Sequence, residues 1–516
     1  MRIIAWCLFF VTISLSAQVK NYFLGGSEIS GEEISISLNT TDRDDIWMAF
    51  NNSRVLHSLN GGKQWLNIKL NPVQGFYGDP VIYKSKQGAI YLAHLAKNPE
   101  KKWPEQFDCI VFERSTNGVE FHSKGIGKNG NKMQDKPWFS VDEFSESPYY
   151  GNIYLAWTEF DKYGSDANSD SSRIRLVSSS DFGANFTEPI TISDVSGDAQ
   201  DDDQTAEGAV ITSLHDGTVL CVWSRDDTLW LDRSMDGGKT WGKDQALCRM
   251  KGGWSYSEIP GMSRANGLPF ICLDKKGRVY IVYATENNKG DWDVFYLYSK
   301  DGKSFTNPIK VNDDNSNGDQ FMPYMEMDKN LGFPRVIWYD TRNSKTGRFA
   351  HIYTSVLKNK CPQHNVNLTL EPIPLPGRDA FMGDYIGFST VKNEGGFAGV
   401  TSINSQSKTN GVLILEWFGK KPKRNLFPPS ITINLNGNSD SVWVALCIPF
   451  ESSCTFELKM GNKTVMQKYY GHADRSNFGK YELMEVAIPK KIIPVGASTF
   501  ILSRSNKSVK LNFWSD

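Results

Sequence analysis

The sequence predicts an all-β fold: a β-propeller, with seven blades favoured and six possible, followed by a small C-terminal β-sandwich. Three observations lead there. A turn motif recurs five times at near-regular spacing, and a second motif, glycine followed by an apolar strand, recurs out of phase with it. The 516 residues also carry 44 Gly beside 15 Trp, 20 Tyr and 29 Phe. That is the make-up of short strands and tight turns rather than of helices.

In chain order, Met1 and Arg2 precede an apolar run from Ile3 to Leu15, then Ser16, Ala17 and Gln18. This is the order of a signal peptide over residues 1–17, which predicts a secreted or periplasmic protein. No later stretch approaches the length of a membrane span, so no membrane insertion is expected. Lys plus Arg number 57 against 58 Asp plus Glu, a balance that provides no bulk field for nucleic acid or an anionic surface. Beyond the leader lie Cys109, Cys221, Cys248, Cys272, Cys361, Cys447 and Cys454, too scattered for a disulfide scaffold or a zinc site. The odd count leaves at least one free, and Cys447 and Cys454 are near enough in sequence to bridge neighbouring strands or to stay apart.

The turn motif reads Ser58-Leu59-Asn60-Gly61-Gly62-Lys63-Gln64-Trp65, Ser179 to Phe186 and Ser234 to Trp241, with shorter versions at Ser115 to Phe121 and Ser299 to Phe305. In each, the Asp or Asn side chain can accept backbone N–H groups of its own hairpin while a glycine takes positive φ. The closing aromatic packs beneath the turn. The Ser, Asp and Gly of these boxes are therefore structural.

Between boxes stand Gly88 to Tyr91, Gly151 to Trp157, Gly217 to Trp223, Gly277 to Tyr283 and Gly332 to Trp338. Each has another strand ahead of it, which places unit openings near Ile34, Asp79, Asp135, Gln204, Arg264, Gln320 and Asp384. Every unit is long enough for a four-stranded blade, and together they span residues 18–425. After Pro428-Pro429 the boxes stop. Alternation such as Ser430-Ile431-Thr432-Ile433-Asn434-Leu435 then predicts the sandwich over 430–516.

These boxes are the Asp-box repeats typical of sialidases, and over most of residues 20–425 the chain resembles the sialidase superfamily. The resemblance implies a carbohydrate or glycoconjugate partner and glycoside hydrolysis at a central pocket. Glu207, followed by a Gly turn, a strand and Arg225, matches the family's order of a glutamate that activates a tyrosine and an arginine that holds the substrate carboxylate. Tyr324 and Tyr385 are the two candidates for that tyrosine. The departures are specific. Known members have six blades, so the unit from Phe381 to Trp417 is either a true blade or a strand pair closing the ring. The family opens its first blade with Arg-Ile-Pro, whereas here that position reads Glu32-Glu33-Ile34. No convincing counterpart of the family's aspartate acid precedes the first box. A standard exo-sialidase is therefore not predicted, and a non-catalytic propeller that binds a glycan or a protein is the alternative.

A propeller brings the starts of its innermost strands to one axis. Asp79, Asp135, Trp138, Arg264, Gln320 and Asp384 all fall at such starts, making a pocket of carboxylates, amides and rings suited to a sugar. Arg342 and Arg378 are further cation candidates. No cofactor is predicted. The acidic stretches Asp198 to Asp203 and Asn312 to Asp319 leave a structural calcium open, though they match no fixed ligand spacing.

Overall fold

A computed structural model describes residues 19–418 apart from 26–28, 30, 252–258, 261, 263, 378–380 and 404–409, together with the strands between 430 and 515. The leader, Arg378 and the side chains of Cys447 and Cys454 lie outside the described residues. Those two cysteines stand on strands Ser441–Pro449 and Cys454–Met460, which belong to different sheets. Cys109, Cys221, Cys248, Cys272 and Cys361 are free thiols.

The described residues are all-β. Antiparallel sheets follow one another along the chain, each laid down in sequence order and four-stranded, except that the one opening at Gln320 gains two further short strands. They open with strands Ser35–Leu38, Val81–Lys84, Met133–Val141, Glu207–Ser213, Phe270–Leu273 and Gln320–Asp328. A last such sheet opens with Gly387–Val391 and takes its outermost strand from the other end of the chain. There Val19–Leu24 pairs with Asn410–Phe418 in a register running from Val19 opposite Trp417 to Leu24 opposite Val412. Each opening strand touches the opening strand of the next sheet, and Gly387–Val391 returns to Ser35–Leu38, so the opening strands close a circle. This arrangement is consistent with a propeller.

The recurring sequence motifs explain the sheets. The second strands carry Trp157, Trp223, Tyr283 and Trp338, each at most 1% exposed, as the apolar filling between adjacent sheets. The boxes link third and fourth strands. In the fourth box, Ser234 Oγ accepts the Gly238 amide at 2.8 Å and Asp236 Oδ1 accepts the Thr240 amide at 2.9 Å. The same pair of bonds recurs from Ser58 and Asn60, Ser115 and Asn117, Ser179 and Asp181, and Ser299 and Asp301. Positive φ at the glycine is required by the turn: Gly183 has φ +80, and a Cβ there would lie 2.7 Å from the Phe112 ring.

The opening strands begin irregularly. Glu33, Asp79, Lys136 and Met322 have φ of 52°, 53°, 46° and 49°, in the left-handed region that non-glycine residues rarely occupy. Register shifts at Asp135/Trp138, Glu207/Val210 and Phe321/Tyr324 mark the same positions as bulges. Bulges re-aim the side chains beside them, and here they gather charged groups on the axis.

Beyond residue 430 two further four-stranded antiparallel sheets form, one around Ser441–Pro449 and Tyr481–Pro489, the other around Cys454–Met460 and Gly496–Arg504. Glu485 accepts the Ser344 hydroxyl and the Thr346 amide, and the Arg348 guanidinium lies 5.1 Å from the Trp443 ring centroid, tying these strands to the sheet that opens at Gln320.

Candidate functional site

The strand beginnings bring together a hub of charged residues from distant parts of the chain. Asp384 is its anchor. Lys136 Nζ and Arg264 Nη2 each donate to Asp384 Oδ2 at 2.5 Å, and Asn266 Nδ2 donates to its Oδ1 at 3.1 Å. Burial alone would raise the Asp384 carboxyl, but Arg264 and Lys136 more than offset it and hold Asp384 ionised, well below the usual range. Lys136 also stands 3.9 Å from Asp79, and Arg264 3.6 Å from Asp201. Burial would lower the Lys136 ammonium. Asp384, Asp79, Asp135 and Glu207 instead keep it well above its ordinary value.

The other hub acids shift the opposite way. Asp79 is raised well above its ordinary value by burial and then by Glu33, whose carboxyl adjoins it; Glu33 is itself raised by burial. Asp135 is pushed up to about 8 by burial, against Lys136 and with help from Asp79 and Asp201. Glu207 is fully buried and raised well above the ordinary range by burial and by Asp201, with Lys136 opposing. No N–H or O–H group donates to either of its carboxyl oxygens. Its neighbour is the Asp201 carboxyl, whose charge and side-chain contact help to raise it. Asp201 accepts the Tyr163 hydroxyl at 2.5 Å. The hub therefore sets neutral acids beside an ionised one, the division that acid–base chemistry needs.

Aromatic rings stand on both sides of this cluster. Tyr77, 40% exposed, is close enough to Asp79, Glu33 and Asp135 for their charges to raise its phenol, after burial. Trp103, 61% exposed, meets the Tyr163 ring edge-on at 5.7 Å. On the other side Trp138, Phe270, Tyr324, Tyr385 and Phe388 pack against one another with centroids 4.9 to 6.3 Å apart, plugging the axis.

Of the residues singled out in the sequence, Glu207, Asp79, Asp135, Arg264 and Asp384 meet in the hub. Tyr385 borders it, close enough to Glu33, Asp79 and Asp384 for their charges to raise its phenol after burial, and the others are held by different neighbours. Arg225, at the end of its strand, donates to the Val195 carbonyl at 2.8 Å and lies over the Trp230 ring. Arg342 is chelated by both oxygens of Asp340, two residues earlier, and by Asp313. Gln320 is consumed by Asn312, Gly318 and Asp340. Neither tyrosine pairs with Glu207. The Tyr385 hydroxyl donates to the Pro80 carbonyl at 2.9 Å, and Tyr324 sits in the plug, raised by burial and then by Glu326 and Cys272. Trp138 belongs to the same plug rather than to an open binding face.

Glu33, Lys136, Asp201, Asn266 and Tyr163 complete the hub, and sequence reasoning did not nominate them. Lys136 stands between the nominated Asp135 and Trp138, and Glu33 occupies the Arg-Ile-Pro position with the opposite charge. Asp201 lies in a stretch considered for calcium. Among the described residues no group of three or more His, Cys, Asp or Glu is arranged to hold a metal ion, and no helix is long and apolar enough to cross a membrane.

No protein-family model matches the chain, and no curated protein matches it. Solved structures do. A protein of unknown function from Dyadobacter fermentans aligns with TM-score 0.44 and 13% identity, covering 75% of this chain and 99% of its own. The NanB sialidase of Streptococcus pneumoniae aligns with TM-score 0.43 and 9% identity over 73% of this chain and 83% of its own. A polysaccharide lyase of the ulvan lyase family PL25 gives 0.40 and 10% over 70% and 88%.

Proposed function

We propose that the chain is an exported, carbohydrate-directed propeller of seven blades over residues 18–425, with a β-sandwich over 430–516, and that it hydrolyses a glycosidic bond at the hub. The observation that carries this reading is Glu207: a buried carboxyl kept neutral, with no N–H donor on either oxygen, that shares the neighbours Lys136 and Arg264 with an ionised Asp384. A neutral acid in a water-poor site is a proton donor at neutral pH. Glu207 gives its proton to the glycosidic oxygen as the bond from that oxygen to the anomeric carbon breaks. Water supplies the hydroxyl that ends on that carbon, and its remaining proton restores the Glu207–Asp201 carboxyl pair. Tyr77, Tyr163 and Trp103 offer ring faces for the sugar at the mouth.

Standard exo-sialidase chemistry does not suit these residues. Glu207 has no tyrosine partner, and Arg225 and Arg342 are engaged elsewhere. The aromatic plug favours a second reading, in which the hub binds a glycan without turning it over. Purified protein screened against aryl glycosides, including sialosides, and an oligosaccharide panel separates the two. Release of product that Glu207→Gln abolishes supports hydrolysis. Binding without product, in wild type, selects the second reading, and product unchanged in Glu207→Gln removes Glu207 from the mechanism.

A further inference from the structure

We infer that the outer groove between the second and third sheets is a further binding site, which takes a sugar-sized molecule bearing an oxyanion: a sulfate ester, a phosphate ester or a carboxylate. It stands apart from the hub and does not depend on what the hub does.

The groove holds a cavity of about 470 Å³. One wall is built by the two outer strands of the sheet that opens at Val81, Ile110–Ser115 and His122–Ile126. The other is the third box turn, at Gly183 and Ala184, which belongs to the following sheet. The Phe186 ring meets the Phe112 ring edge-on at 5.0 Å and holds that turn against the strands. Register sets Arg114 opposite His122 and Phe112 opposite Lys124. Alternation along the strands therefore puts Arg114, His122 and Lys124 on one face, and all three line the cavity. No Asp or Glu lines it. Glu113, on the opposite face, is buried 3.5 Å from His94, and Asp181 of the facing box gives its oxygens to the Asn185 backbone and side-chain amides of its own turn.

Two comparisons within the molecule single this groove out. Arginines also stand on the third strands of the next two sheets, and their terminal nitrogens are satisfied at home. Arg175 donates to the Thr191 hydroxyl at 2.6 Å and the Pro189 carbonyl at 3.0 Å, and Arg233 to the Gln245 side-chain oxygen at 2.7 Å. Arg114 enters no ion pair among the described residues, its buried Nε–H meets no acceptor, and its polar neighbour is the Tyr91 phenol, opposite it on Ile90–Leu95. The corresponding groove at the seam shows the other solution. There a cavity of about 560 Å³ faces the first box, and Glu416 lines it, paired with Arg43 at 2.6 Å. Glu416 holds the third-strand place opposite Lys20 that Arg114 holds opposite His122. At the seam the chain supplies its own carboxylate; beside Arg114 it leaves that partner to a ligand.

The lining indicates the rest of the ligand. A guanidinium fork matches the paired oxygens of a carboxylate, sulfate or phosphate. Beyond the cations the walls are Thr116, Ser123 and the Gly183-Ala184 turn, with no large apolar side chain, so a fatty or aromatic acid gains little there while sugar hydroxyls find polar partners.

Calorimetric titration of the full chain with glucose 6-sulfate, glucose 6-phosphate, glucuronate, glucose and inorganic sulfate tests this. At least one anionic sugar should bind about tenfold or more tighter than both glucose and inorganic sulfate, and more weakly as salt is raised; which one binds identifies the oxyanion. Arg114→Gln and Lys124→Gln, each checked for an unchanged melt, should each weaken that ligand about tenfold, and Arg233→Gln should not. Binding of none of the sugars, equal binding of glucose, equal binding of inorganic sulfate (an adventitious ion only), or an affinity unmoved by both Arg114→Gln and Lys124→Gln overturns the inference. So does an affinity lost in Glu207→Gln instead, which places the ligand in the hub. The hydrolysis reading is decided separately, by product release in the glycoside screen.

Discussion

The rim turns and the hub use the same residue types to opposite ends. In the box turns an Asp or Asn sits at the surface and collects hydrogen bonds from its own loop. The Asp236 and Asp301 carboxyls are drawn down to about 2, chiefly by the Thr240 side chain and backbone in one case and by the Ser304 and Lys303 amides in the other. In the hub the carboxyls are buried, crowded by one another and mostly short of donors, and Asp135 is pushed up to about 8. The contrast shows what a buried acid does when its surroundings give it no donor: it keeps its proton and becomes reactive, while the rim acids stay ionised and stabilise only their own turn.

The contrast can be broken most severely at Lys136. Lys136→Met strips Asp384 of one of its two cations and should cost about 3–5 kcal/mol of stability, read by denaturant titration; a loss below about 1 kcal/mol would mean that Arg264 and Asn266 suffice. Glu207→Gln should behave differently. It should lower turnover of any glycoside substrate by about 100-fold or more, yet leave the melting temperature unchanged or higher, because an amide replaces an acid that is already neutral. A clear drop in melting temperature would place an ionised Glu207 in the native hub. On the rim, Asp236→Ala should cost about 1–2 kcal/mol with no effect on binding or turnover. The smallest effect is a difference of sign with pH. Acids whose folded pKa is raised stabilise the fold while protonated, so the Asp135 contribution is present below about pH 4 and is lost as pH rises through about 8. Asp236 and Asp301 are lowered, so theirs is present above about pH 4 and lost as pH falls through about 2. Denaturation midpoints of Asp135→Asn and Asp236→Asn across pH 2–9 should therefore diverge from wild type at opposite ends of the scale.

The rim was legible in the sequence because its interactions are local. Every hydrogen bond of a box falls within four residues, so spacing alone reports it. The strand openings followed from the gaps between boxes, and with them Asp79, Asp135, Arg264 and Asp384. The hub's remaining members were not legible, because their roles depend on neighbours hundreds of positions away: Lys136 meets Asp384 across 248 residues. Arginines at strand ends look alike in sequence whether they serve a ligand or a neighbour. For Arg342 a signal was present, since Asp340 stands two residues before it and chelates it. Tyr324 stands apart from Glu207 for a geometric reason. It lies past the bulge at Met322, four residues into its strand, at the depth of the aromatic plug rather than of the charged strand beginnings.

The pairing of Val19–Leu24 with Asn410–Phe418 has a consequence for how the molecule is made. The earliest of these segments to leave the ribosome must wait, unpaired, through the synthesis of nearly four hundred further residues before its partner strand exists. The circle can thus be locked only after its last member is complete, and the hub, whose residues come from both sides of that seam, acquires its final electrostatics at the same moment.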